Sequence, residues 1–530
     1  MHFFKCNAPL RNPWPSCLLM IALALATPAA ARDSLFGFNE DDAASSVQDV
    51  VSGLDSDAAA GTRDGIVAAQ VKAFYAARDF RMVWSGDEDA SERLTVVRSA
   101  LERADRQGLR PRDYISELSR WGDGAKPGRD AAEFDVTMTA ALFRYALDVR
   151  LGRTEPNRVY RDADLPPQSF DVAGAFATAL RRGSIERFLD ELPPPHPGYR
   201  WLVDALARYR AIAEKGGWPL LSMPRAGGKH ANPLSLALRL AVEDPDVEDE
   251  PAALQEALVR FQRRHGLDGS GKLDLETLKA LNIPASFRVQ QIIANMERWR
   301  WVPRAFEDRY ILVNVPDQSL TFVANQTAKL SSKVVIGKIT SPTPILRTDV
   351  VGVVANPAWD VPDDIAASKI LPHLRHHPNY LASRNMVLAN GHVEQNPGDG
   401  NVLGKLMLDS PNPFGVYMHD TPDKKLFLST MREHSNGCVR VEQIAPLASL
   451  VLGGEDPEDR IIEAIATGET QELQLERPVA VYMLYWTAFA DPDGAMEFRP
   501  DLYGRDASLI AKLRAQAPKA ALPLATLGLP

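Results

Sequence analysis

The chain has 530 residues, enough for roughly three or four domains and for cores that need no disulfide or metal staple. Apolar residues make up 45% and charged residues 24%, the balance of a globular protein, which excludes a wholly disordered or fibrous chain. With 60 Lys plus Arg against 69 Asp plus Glu the formal charge is -9, which argues against a phosphate-backbone binder and so against nucleic acid as a partner.

The first thirty-one residues read as an export signal. Lys5 and Arg11 supply a positive start, Cys17 to Ala26 is an apolar run of ten, and Ala29-Ala30-Ala31 offers a small-residue cleavage site near Ala31. Ten apolar residues fall short of the roughly twenty that cross a hydrocarbon core, so no stable membrane span is expected after cleavage. Cys17 opens the run instead of following it, which argues against a lipid anchor there. Cleavage leaves 58 cations against 69 anions, or -11, and removes Cys6 and Cys17. Cys438 is then the only thiol of an exported chain, where an unpaired cysteine needs a purpose.

Residues 32–62, rich in Asp, Ala, Ser and Gly, read as a solvated, disordered leader. From 63 to 245 the period is helical: Met138, Ala141, Leu142, Tyr145 and Val149 share one face, as do Leu202, Ala205, Leu206 and Tyr209. Pro193-Pro194-Pro195 and Gly216-Gly217-Trp218-Pro219 separate the helices. A small unit at 246–285 places Leu254, Ala257, Leu258 and Phe261 on one helix face and restarts the period at Leu275, Leu278 and Leu281. A linker helix is expected within 286–308, its Trp299 and Trp301 more suited to packing between domains than to stacking on sugars.

After residue 308 the period becomes two. Ile311, Val313 and Val315 alternate, then Leu320 and Phe322, and Lys333 to Gly337, Val350 to Val354, Gly415 to Met418 and Val479 to Trp486 follow as strand candidates. A mainly β domain is expected over 309–490, interrupted at 363–412 by a helical and loop insertion, and a tail over 491–530. An insertion of that length in a compact domain is usually functional.

The segment Val416 to Val441 carries the chemistry. His419 is followed, fifteen residues on, by Ser435-Asn436-Gly437-Cys438-Val439-Arg440. Thiol catalysis needs a thiolate, a base to make it and donors for an oxyanion, and this stretch offers all three types. A glycine before the cysteine lets the backbone turn so that the amides of Gly437 and Cys438 could face one spot, while Arg440 favours a thiolate or holds a carboxylate. Read blandly, Cys438 is an inert buried thiol, His419 a strand-end histidine and Arg440 a surface ion pair. His373, His376 and His377 are spaced as metal ligands on a helix could be, yet no cysteine or carboxylate completes a set, and a solvated face is the better reading. No metal or cofactor is expected.

The pattern H-x15-S-N-G-C-x-R resembles the active-site motif of the L,D-transpeptidases, the cysteine enzymes of the YkuD fold. Gly337-Lys338, Thr343-Pro344, Asn356 to Pro362 including Trp359, Ile370-Leu371-Pro372, His419 to Pro422, Tyr485 to Ala488 and Phe498 to Asp501 resemble the YcbB-like periplasmic subgroup. Phe261 to Leu267 and Thr277 to Asn282 look like a peptidoglycan-binding domain of the PGBD type. Phe74-Tyr75, Arg78, Trp84, Gly108-Leu109 and Tyr199 resemble the scaffold domain of such enzymes.

The resemblance implies a multidomain α+β chain. It would hold an α-helical N-terminal scaffold domain, a small three-helix peptidoglycan-binding module and a mainly β YkuD-type catalytic domain with a capping insertion. It implies Cys438 as nucleophile, His419 as general base, Gly437, Asn436 and Asp420 as oxyanion or orienting groups, and Arg440, Ser435 and Trp359 as substrate contacts. It further implies periplasmic cross-linking of peptidoglycan tetrapeptide stems in 3-3 fashion, susceptibility to carbapenems, and cell-wall synthesis proteins as candidate partners. Asn436 departs from the family, where a second histidine is usual, and Asp274 stands where a glycine is usual. The competing readings are an L,D-carboxypeptidase or lipoprotein amidase using the same cysteine, and an inert wall-binding scaffold.

Overall fold

The computed structural model describes residues 40–515 apart from 55–60, 86, 122–127, 223–232, 245–246, 248–250, 375, 390 and 492. The export signal expected at 1–31 lies outside the described residues, and no described helix is long and apolar enough to cross a membrane.

The N-terminal helices gather around Arg129–Leu151, a helix buried on most of its turns. Val67, Val71 and Phe74 of the Arg63–Ala76 helix and Phe176 of Val172–Arg182 complete that core, with Phe74 edge-on to Phe143 at 5.5 Å. The Asp135 carboxylate, buried there, accepts the amides of Val83 and Trp84 and the Tyr75 hydroxyl, which satisfies a polar group that would otherwise be costly inside. The expected leader at 32–62 is corrected: Glu40–Ser52 is a helix that buries Val47, Val50 and Val51 in this core, followed by buried Leu54. These four stand at i, i+3, i+4 and i+7, a helical stripe masked by the Ala, Asp and Ser around it.

The helical region does not form one body through 245. Pro197–Glu214 packs with the Ala285–Trp299 helix and shares the core of the β domain. The small module likewise starts earlier than 246. Leu236, Ala237 and Leu240 of the Pro233–Ala241 helix, with Leu221, pack against Leu254, Leu258 and Phe261 of Pro251–Arg264 and Leu278 and Leu281 of Leu275–Leu281. Without that upstream helix, two short helices would have too little apolar surface to bury.

Ala285–Trp299 is a central pillar and not a mere linker. Trp299 stacks on Trp486 at 4.1 Å, Trp301 donates its indole N–H to the Thr154 carbonyl at 2.7 Å, and both rings are buried, in keeping with the packing role expected of them. Glu297, on the same helix, accepts the Thr154 amide at 2.9 Å and pairs with Arg300 at 2.9 Å.

The period-two segments build a ten-stranded sheet. All strands except Ala163–Asp164 and Glu433–Ser435 close into a ring: Ile345–Ala355, Gln471–Leu484, Arg309–Asn314, Ser319–Ala324, Thr327–Gly337, Val439–Val441, Met418–His419, Leu406–Asp409 and back to Ile345–Ala355. Closure leaves no edge along the ring, and alternate residues such as Ile311, Val313, Leu320 and Phe322 fill its interior. Ala163–Asp164, from the helical region, pairs in parallel with Ile345–Leu346 and stitches the two parts together.

The insertion boundaries shift. Leu406–Asp409 belongs to the ring, whereas Trp359–Asp360 pairs with His392–Gln395 in a separate three-stranded sheet. That sheet and the helical run Asp363–Leu374 enclose a small core of Val361, Ala366, Ile370, Met386 and Val393, with Trp359 packed against it. The expected tail at 491–530 is also corrected. Met496–Phe498 pairs with Ala488–Ala490, and Arg505–Ala515 is a helix that buries Leu509 and Asp506 in the main core; 516–530 lie outside the described residues.

Candidate active site

Two neighbouring strands bring the motif together. Met418–His419 pairs in parallel with Val439–Arg440, setting Met418 beside Val439 and His419 beside Arg440. Met418 and Val439 fill the ring interior, so the alternate residues Tyr417, His419, Cys438 and Arg440 project from the opposite face, side by side. The Val439 amide donates to the Tyr417 carbonyl at 2.8 Å and fixes this register one step ahead of the strands.

Cys438 is half-buried, its Sγ 4.0 Å from the Gly415 carbonyl. Burial pushes the thiol up from its ordinary range, while the amides of Tyr417 and Cys438 and the Arg440 guanidinium pull the other way. His419 is 2% exposed. Burial first, then Arg440, hold its imidazole down at about 4 against the Asp420 carbonyl, the Asp420 carboxylate and the Leu403 carbonyl, which favour the charged form. Burial thus favours the neutral form of both the thiol and the imidazole.

The turn that presents the thiol is built from its own side chains. Gly437 sits at φ +114°, a left-handed conformation open to glycine. The Ser435 hydroxyl donates to the Cys438 carbonyl at 2.6 Å and accepts the Gly437 amide at 3.2 Å, while Thr343 donates to the Gly437 carbonyl at 2.8 Å. Thr343 in turn accepts the Gly337 amide at 2.9 Å, and its carbonyl accepts from Arg505.

Several expected roles change. Ser435 is buried and its hydroxyl is used on both sides, so it braces the turn and does not face substrate. The Gly437 amide is engaged by Ser435 and is not a free oxyanion donor. The amides of Tyr417 and Cys438 lie toward the sulfur and have no other hydrogen-bond partner among the described residues. Asn436 is exposed, and its side-chain oxygen accepts from Lys369 of the insertion at 3.2 Å. The Asp420 carboxylate accepts the Lys405 amide at 3.0 Å and the Lys424 ammonium, and both its charge and the Asp420 carbonyl act on the His419 imidazole. Trp359 lies in the floor of the insertion, half-buried. Arg440 keeps a buried Nε without a hydrogen bond, and the Asp423 carboxylate acts on its charge.

Tyr417 and Thr343 were missed as site residues. Tyr417 could have been found, because it precedes His419 by two in extended sequence leading into the strand and so shares its face. Among the described residues no group of three His, Cys, Asp or Glu side chains could hold a metal ion, His373 and His377 included.

Residues 69–206 match the family model of the Scaffold domain and residues 308–463 that of the L,D-transpeptidase catalytic domain. A Haemophilus influenzae protein provisionally named an L,D-transpeptidase is 28% identical over 267 residues, which cover 45% of this chain and 54% of that one, so the chain spans about half the length of that relative. Among solved structures, an Enterococcus faecium L,D-transpeptidase point mutant is 15% identical and covers 34% of this chain and 50% of its own, at a TM-score of 0.18. An L,D-transpeptidase from Stackebrandtia nassauensis is 12% identical and covers 47% of this chain and 88% of its own, at a TM-score of 0.20.

Proposed function

Because this chain carries an L,D-transpeptidase catalytic domain of the YkuD type behind a Scaffold domain, we propose that it forms 3-3 cross-links between peptidoglycan stems through a thioester on Cys438. The observation that carries this reading is the register that sets His419 beside Arg440 and Tyr417 beside Cys438, on one face of two paired strands. His419 takes the thiol proton as Sγ attacks the carbonyl of the third stem residue at its L-centre. The amides of Tyr417 and Cys438 meet the oxyanion, the C–N bond to D-Ala breaks, and the amine of D-Ala leaves with the proton from His419. The side-chain amine of a neighbouring stem then attacks the thioester. A new amide forms, the C–S bond breaks, and the thiol regains its proton.

The insertion, which reaches Asn436 through Lys369, would cap the donor and keep water from the thioester, since transfer to an amine must outrun hydrolysis. Arg440 would hold a stem carboxylate. The small helical module would bind peptidoglycan, and the export signal would place the enzyme in the periplasm beside other cell-wall synthesis proteins.

Intact mass after exposure to a carbapenem, alongside Cys438→Ala, tests the nucleophile, and incubation with disaccharide tetrapeptide tests the transfer. One adduct lost in the variant, with a cross-linked dimer lighter by one D-Ala than two stems, is expected. Tripeptide as the sole product would make the protein a hydrolase. An unlabelled Cys438 would make it a wall-binding scaffold.

A further inference from the structure

The row of side chains that holds the nucleophile continues past Tyr417 to a carboxylate that the acylation chemistry does not use. Met418 faces Leu408 across an antiparallel pair and Val439 across a parallel one. One step back, Tyr417 therefore lies between Cys438 on one side and Asp409 on the other, and Asp409 faces Gly352 on the next strand, which offers it no side-chain partner. Met418, Leu408 and Val439 fill the ring interior, so thiol, phenol and carboxylate project from its outer face in one line. Strands about 4.8 Å apart put the Asp409 backbone about 10 Å from that of Cys438, with the phenol between them.

Asp409 and Tyr417 are each half-buried, and neither side chain makes a hydrogen bond or ion pair among the described residues. The Cys438, Asp360 and Asp409 charges all act on the phenol, which ties thiol and carboxylate to one patch. Around Asp409 the acting charge is that of Glu472, and no cation pairs with it. The cations gather elsewhere, along the nucleophile's own segment: Arg440 follows Cys438, and Lys369 precedes it, held by Asn436 at 3.2 Å. The site thus has a positive side along that segment and a negative side across the strands. Two substrates meet in the proposed reaction. The donor's leaving D-Ala carries a carboxylate, and the acceptor's attacking amine is an ammonium in neutral water. Charge complementarity allots the cations to the donor and Asp409 to the acceptor.

We propose that Asp409 is a specificity-determining residue for the acceptor: its carboxylate draws the ammonium of the neighbouring stem to the Tyr417 side of Cys438, so that the amine reaches the thioester across the strands while the donor lies along the nucleophile's own segment. The proposal rests on the transpeptidase reading for the identity of the ligand and adds the side from which the amine arrives. Asp409 acts on approach alone. Bond making stays with Cys438 and His419, after the ammonium has given a proton to water. A raised local concentration of amine is also what transfer needs in order to outrun hydrolysis.

The test uses the full chain with Cys438 acylated by a carbapenem, which fills the donor side and leaves the acceptor side to a disaccharide tripeptide, a stem with no D-Ala to release. Asp409→Asn keeps the shape and removes the charge. It is expected to weaken equilibrium binding of the tripeptide about fivefold, with Asp409→Glu close to the parent. A tripeptide whose side-chain amine is acetylated should bind weakly to the parent and be indifferent to the substitution. In turnover of disaccharide tetrapeptide, the ratio of cross-linked to hydrolysed product should fall by about the same factor in Asp409→Asn. Unchanged affinity for the tripeptide overturns the proposal. So does an equal loss with the acetylated stem, which would make Asp409 matter through shape instead of charge. A parent that binds the tripeptide in an Asp409-dependent way yet passes its acyl group only to water would sink the transpeptidase reading and leave this contact standing.

Discussion

Thr343 reaches across 94 residues of sequence to hold the carbonyl of Gly437, and its hydroxyl is the link between the nucleophile's turn and the strand ending at Gly337. Thr343→Val removes that donor and leaves the shape, so acylation of Cys438 by a carbapenem should slow about tenfold, the worth of roughly one hydrogen bond. Thr343→Ser should restore it, and a valine variant as fast as the parent would show that the turn stands by itself. The neutral resting pair has its own signature. With the His419 imidazole held at about 4, the base is unprotonated through the neutral range. The acylation rate should be flat from about pH 8 down to pH 5 and fall tenfold per unit below about 4, whereas a limb near 6.5 would mean an imidazole free of its burial. That Cys438, His419 and Arg440 come together was legible because they lie in one short segment, brought side by side by two paired strands. The fate of the Gly437 amide was not, because Ser435 takes it through a turn that no composition reveals.

At the scale of elements, the alternating strands could be read directly, since a ring with one buried face imposes period two. The final helix could not. Arg505–Ala515 has an unremarkable surface pattern and is held by polar groups: Asp506 pairs with Arg298 of the central helix at 2.5 Å and accepts the Thr487 hydroxyl at 2.8 Å, all three buried. Asn295 completes the cluster by donating to the Thr487 hydroxyl at 2.8 Å. Such a network is fixed by partners about two hundred residues apart and leaves no local trace. Removing one member strands the other charge in the interior. Asp506→Ala should cost about 3–5 kcal/mol in denaturant unfolding, while Asp506→Leu combined with Arg298→Met should recover most of the loss by replacing the pair with packed apolar groups. Equal losses in the single and double variants would assign the cost to shape instead of charge. The helix Glu40–Ser52 was obscured for a different reason: four apolar residues carry its stripe, and the polar residues between them dominate the composition.

Across the whole molecule, the small helical module meets the β domain through few contacts, and His265 is at their centre. Its ring stacks on Phe261 of the module at 3.9 Å and lies 5.7 Å from Phe498 of the β domain. Beside it, Arg499 donates to the Arg264 carbonyl at 2.9 Å and fills the space over Gly266, where an added Cβ would come within 2.7 Å of the arginine chain. Burial, followed by the Arg288 charge, pushes the His265 imidazole down to about 3. The folded value lies below the unfolded one near 6.5, so the stabilisation from keeping this ring neutral is complete above pH 6.5 and is lost as pH falls toward 3. Between pH 6.5 and 4 that loss amounts to about 3 kcal/mol, enough to loosen a docked module before the ring of strands opens. Hydrogen-exchange protection in Pro251–Arg264, corrected for the intrinsic slowing of exchange in acid, should therefore fall over this range, ahead of protection in Ile345–Ala355. His265→Phe keeps an aromatic ring between Phe261 and Phe498 but cannot take a proton. It should remove the acid-dependent part, because the other titrating groups are common to both chains; the same acid response in the variant would place the trigger elsewhere than at this interface.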